Sequence, residues 1–238
     1  MKRVWVGAVA ALTMAVPAAA APTTVTVTGS VMSGIDAGGQ FGVAGASLAG
    51  RPFSAIFTID QAAGSSLNET ATSSYLAGMG AASPISAVLT IGSASYRFAG
   101  SQNGLVRVTD AAGNGGTDSA MFFVDDTDLS QQPNDNTLLS LGFDTLRNVL
   151  SSPGFTAVAV SDLNLSDNAK GVVKIANRDA TTGAFGTPTV ADLSIETIRA
   201  TVTSPVPEPA TWAMMVAGFA MAGVALRRRR VDARVRFA

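Results

Sequence analysis

Between residues 21 and 204 apolar side chains recur at every second position in short runs, and clusters of Gly, Asn, Asp and Ser break the runs apart. A period of two sends alternate side chains to opposite faces of a strand, so each run buries one face and wets the other. Residues 23–28 alternate threonine with valine, and Phe53, Ala55, Phe57 and Ile59 share a face opposite Ser54, Ile56, Thr58 and Asp60. Similar runs at 87–91, 95–99, 105–109, 120–124, 137–143, 155–165, 171–176 and 193–203 bring the expectation to about ten strands. Helical spacing occurs only at 145–150, where Leu146, Val149 and Leu150 predict a turn or two of helix. Short strands with turn signals at close intervals, and no internal repeat, predict an all-β chain with a single β-sandwich or jelly-roll-like domain.

The two ends are built differently. Lys2 and Arg3 precede an apolar run over 4–16 and a small-residue exit at 17–20, the pattern of a secretory signal peptide over residues 1–20. Ala18 and Ala20 stand at the third and first positions before the expected signal-peptidase cut; a cut after Ala21 would leave Pro22 next to the scissile bond. The apolar run is too short for a span of roughly 20 residues. At the other end Pro205, Val206, Pro207, Glu208 and Pro209 lead into seventeen apolar or near-apolar residues at 210–226 and then Arg227, Arg228, Arg229 and Arg230. Such a run makes roughly 25 Å of transmembrane helix. The arginines stay cytoplasmic by the positive-inside rule, which leaves the exported domain, 21–204, beyond the inner membrane. The prolines keep the chain before the span extended, and Trp212 fits the membrane interface.

Pro207-Glu208-Pro209, Trp212-Ala213 and the arginine cluster, in this order and spacing, resemble the PEP-CTERM sorting signal of exported Gram-negative proteins in its variant with Trp-Ala after the motif. The resemblance covers residues 205–238; the short basic tail after Arg230 extends beyond the usual pattern. It implies recognition by an exosortase, a membrane cysteine protease, with an inner-membrane-anchored intermediate and delivery to the cell surface or extracellular space. It also implies proximity to exopolysaccharide and biofilm. A plain single-pass anchor is the alternative. Residues 28–57 are similar to openings of other passengers of this signal, and that similarity names no chemistry.

Composition narrows the chemistry of the middle. The chain has no cysteine and no histidine, which excludes disulfides, thiol nucleophiles, Ser-His-Asp arrangements and the usual zinc sites. Neither Lys170 nor Lys174 stands in a Ser-x-x-Lys context. Residues 21–204 carry eight basic against fifteen acidic side chains, a balance that argues against nucleic acid as a partner.

Three features remain. Asp125, Asp126, Asp128 and Asp135, with neighbouring asparagines, gather the hard oxygens calcium prefers, although the spacing is not that of an EF-hand. The competing reading is a solvated turn. Residues 113–118 resemble one turn of a calcium-binding β-roll, but a lone copy reads better as a hairpin loop. Finally, a carboxylate pair would suffice for a secreted glycan-active hydrolase, yet the middle has no tryptophan and only Tyr75 and Tyr96 for sugar stacking. The sequence therefore favours a non-enzymatic exported protein, structural or adhesive, with no catalytic residue and calcium the one cofactor considered.

Overall fold

The structure, a computed structural model, describes residues 22–64, 66–130, 136–179, 181–202, 215, 218–221 and 223. Thirteen strands are described: β1 Thr23–Asp36, β2 Ala46–Ser47, β3 Pro52–Ile59, β4 Ser66–Glu69, β5 Ser73–Gly78, β6 Ile85–Ile91, β7 Ala94–Phe98, β8 Asn103–Thr109, β9 Asp118–Asp125, β10 Leu138–Thr145, β11 Ala159–Val160, β12 Lys170–Ile175 and β13 Thr189–Val202. All pair antiparallel in one sheet of order β4-β5-β8-β9-β10-β12-β13-β1-β3-β6-β7, with β2 and β11 paired to β1 and β13 off that path. The all-β expectation holds, and the sandwich arises from one continuous sheet curled over on itself.

The curl is made by the two fourteen-residue strands, β1 and β13. They pair with each other almost throughout, but their ends belong to different layers. The first half of β1 pairs onward to β3, whereas the first half of β13 pairs onward to β12. Where the ribbon changes layers, the register slips between Thr28 and Gly29 and again between Val31 and Ser33. Bulges of this kind bend a strand and increase its twist. Gly29 is required there, because a Cβ on it would lie 1.9 Å from the Ser194 carbonyl oxygen.

The two layers close on a single core. Phe57 from β3 and Phe122 from β9 stack across it at 5.2 Å between ring centroids. Phe53, Ala55, Phe57 and Ile59 are all buried, as the alternation required. So are Val25 and Val27, Leu89 and Ile91, Val106 and Val108, Leu139 and Leu141, and Leu193 and Ile195. Each pair is two residues apart, the signature of a one-sided strand.

Several boundaries differ from expectation. The predicted strand at 155–165 is reduced to two residues of β11: Phe155, Val158, Val160 and Leu163 are buried, but by a loop folded over the β13 edge of the core. No helix forms at 145–150. The amides of Val149 and Leu150 instead donate to the Asp118 carboxylate at 2.7 and 2.8 Å, and Leu146 is 80% exposed. β4 and β5 were not foreseen. Residues 113–117 belong to the β8–β9 hairpin loop as expected, with Gly115 at a φ of 81°, and Asp118 opens β9.

Candidate functional site

The predicted signal peptide with Ala18 and Ala20 lies outside the described residues, as do Pro207, Glu208, Pro209, Trp212, Ala213 and Arg227, Arg228, Arg229 and Arg230. The described positions of the C-terminal apolar run, 215, 218–221 and 223, are helical. Among the described residues no helix is long and apolar enough to cross a membrane. What the fold does fix is where the sorting segment leaves it. β13 ends at Val202, whose register partner on β1 is Thr23. The first and last strands of the domain therefore reach the same corner.

The acidic loop is tied into local hydrogen bonding. Asp125 accepts the Thr127 amide at 2.8 Å. Asp126 bridges to the turn after β7, accepting the amides of Ala99 and Ser101 at 2.7 and 2.6 Å and the Ser101 hydroxyl at 2.9 Å. Asp128 accepts from the Ser130 amide and hydroxyl. Asp135 lies outside the described residues. Among the described residues no three acidic side chains are grouped to hold a metal ion.

Three other aspartates, of which Asp118 closes the 113–118 motif, are buried and fully engaged. Asp36 accepts the amides of Gln40 and Phe41 and the hydroxyl of Thr189, pinning the loop that follows β1. Asp118 is completely buried and accepts four backbone amides: Ala111 at 3.0 Å and Ala112 at 2.9 Å on one oxygen, Val149 and Leu150 on the other. Asp167 receives both Nε and an Nη of Arg147 at 2.7 and 2.6 Å, together with the Thr145 hydroxyl at 2.8 Å.

These contacts decide the ionisation. Burial pushes the Asp118 carboxyl up, but its four amide donors outweigh that and hold it below the ordinary value of 3.8. The Arg147 guanidinium, against the opposing effect of burial, holds Asp167 below the same value. Carboxyls depressed on folding stabilise the fold above the unfolded pKa and lose that contribution as pH falls through the folded one. The urea midpoint of the domain is accordingly expected to stay level down to about pH 5 and to fall steeply below about pH 4. A midpoint unchanged at about pH 2.5 would show that these carboxyls carry no differential stability.

On the outer face of the β8-β9-β10-β12 layer lies an open groove of about 370 Å³, walled by Arg107, Asp144, Asn168 and Lys170 over a floor that includes Ser119 and Gly142. Two smaller grooves flank β11 and the 176–188 loop, and neither contains an acidic side chain. The main groove contains one carboxylate, Asp144, where a glycoside hydrolase needs two.

Against known proteins, residues 205–230 match the family model described as the PEP-CTERM protein-sorting motif. The chain carries a PEP-CTERM sorting signal. No curated protein and no solved structure matches the chain significantly. The motif implies an exported protein targeted to an exosortase, held first in the membrane and then passed to the surface. The match begins three residues after β13 ends, so the signal follows the folded domain with almost no spacer.

Proposed function

We propose that the exported domain is a non-catalytic, structural or adhesive component of the cell surface, in contact with extracellular polysaccharide. The observation that carries this reading is the abrupt junction between a compact all-β domain and a sorting signal that ends at the surface. A second support is the use of the buried aspartates: Asp36, Asp118 and Asp167 are committed to loop geometry and not to a cleft.

The test is calorimetric titration of the processed protein with its host's purified exopolysaccharide, in calcium and again with chelator. Heat in both conditions supports a matrix role independent of calcium. Heat that disappears with chelator assigns the contact to the carboxylates of Asp125, Asp126 and Asp128. Absence of heat in either condition removes the matrix reading, and new reducing ends appearing during the titration would favour a hydrolase.

A further inference from the structure

We infer that the outer face of the β5-β8-β9-β10-β12 layer binds an acidic oligosaccharide, with Arg107 and Lys170 receiving carboxylates on separate sugar units. The inference rests on the matrix reading above and names the class of polysaccharide and the face that takes it.

Strand register places the relevant residues in one line. Tyr75 pairs with Arg107, Arg107 with Met121, Met121 with Gly142, and Gly142 with Lys170. Residues directly opposite in antiparallel strands project from the same face, so the five form a row across five strands. Gly142 makes a notch in the middle of that row. A Cβ there would lie 2.5 Å from the Ala120 carbonyl oxygen, so the close strand approach that demands glycine also opens the groove.

Charge gives the ligand's character. The exported domain is net acidic, yet two of its eight basic residues wall this one groove. Both are exposed, and among the described residues neither makes an ion pair or a side-chain hydrogen bond. Arg147, by contrast, is bound to Asp167, and Arg178 lies over the Phe185 ring. Arg107 and Lys170 stand three strand spacings apart, roughly 14 Å between backbones. That separation suits two charges on a chain better than one small anion held between two cations. Asp144, in the next row and likewise without a partner among the described residues, repels a dense polyanion but accepts hydroxyl donors. Ser119, its register partner, adds a second hydroxyl-binding group. Tyr75, half-buried at the end of the row beyond Arg107, offers an aromatic edge to a sugar ring. A singly charged, hydroxyl-rich repeat meets all of these groups; a phosphate ion meets one end of the groove.

The experiment titrates the full chain in detergent micelles with tetragalacturonate, with cellotetraose, with an oligo-dT and with the host's exopolysaccharide, and repeats each with Arg107→Gln, Lys170→Gln and the double variant. Both side chains are exposed, so the variants are expected to keep the parent's circular dichroism and melting curve. Tetragalacturonate is expected to bind with cellotetraose at least about tenfold weaker; each single variant should weaken it about fivefold, the double about twentyfold, with loss in high salt. Equal binding of the two tetrasaccharides, oligo-dT binding as tightly as tetragalacturonate, or tetragalacturonate binding unchanged in the double variant would overturn the assignment. Host polysaccharide that binds equally to parent and double variant would overturn the groove while leaving the matrix reading in place. No binding of host polysaccharide by the parent would overturn both.

Discussion

Asp118→Ala is expected to lower the stability of the exported domain by about 4 kcal/mol or more, a large part of the 5–15 kcal/mol typical of a domain. The carboxylate has no exposed surface and satisfies four backbone amides from two loops, one on each oxygen. Truncation to alanine leaves four donors facing a space without an acceptor, and each buried unsatisfied donor costs on the order of 1–3 kcal/mol before water enters. Asparagine should rescue only part of the loss. Its carbonyl can serve one pair of amides, but its own NH₂ then faces the other pair. Asp126→Ala is the informative contrast, because it also removes three hydrogen bonds but at the surface, where water replaces them; about 1 kcal/mol is expected. The exported domain has no tryptophan, so urea midpoints are best followed by circular dichroism. Equal losses for Asp118→Ala and Asp126→Ala would mean that burial of the acceptor is not what makes the contact strong.

The same residue marks the limit of what the sequence discloses. Alternation is a local code, and it identified the buried face of Phe53–Ile59-type runs because those side chains need only an apolar neighbour of any kind. Asp118 works through amides 31 and 32 positions away, at Val149 and Leu150, and nothing in its own surroundings distinguishes it from the solvated aspartates of the acidic loop. By claiming those amides it also cancels the helix that Leu146, Val149 and Leu150 suggested. β5 was missed for a related reason: Leu76 is its one large, fully buried side chain, and the serines, glycines and alanine around it carry too weak a pattern. The extension of β1 past Thr28 was hidden by Gly29, which interrupts the side-chain pattern, and by the extra residue Met32, which shifts the period of two by one. The groove is less legible still, since Arg107 and Lys170 are brought together only by three successive strand registers. The sorting signal stands at the opposite extreme. It is read as a linear string, by a protease and by the eye alike, and its order survives without any fold.

Replacing Pro207, Glu208 and Pro209 with alanines is expected to leave the protein unprocessed in the inner membrane and to reduce the surface fraction at least about tenfold. Two physical changes combine. Proline costs about 3 kcal/mol relative to alanine inside a helix, so the native triplet would stop a helix over the apolar run from extending back toward the domain, and three alanines would let it continue. The chain available for cleavage is short: Val202 is the last residue of β13, and the eight residues from there to Ala210 reach at most about 28 Å when fully extended. Helix at 1.5 Å per residue, running back as far as the retained Pro205, would shorten that stretch by about a third and draw the folded corner of Thr23 and Val202 toward the membrane, away from the protease's grip. Glu208→Gln separates shape from charge, because it keeps both prolines. If the protease needs only an extended segment, Glu208→Gln is processed and the alanine triplet is not; if it reads the carboxylate, both accumulate. Immunoblots of inner-membrane and surface fractions, with the size shift that marks removal of the C-terminal helix, distinguish the cases. Normal processing of the alanine triplet would show that the Pro-Glu-Pro segment neither shapes nor labels the cleavage site, and the apolar helix with its arginines would then be an ordinary anchor.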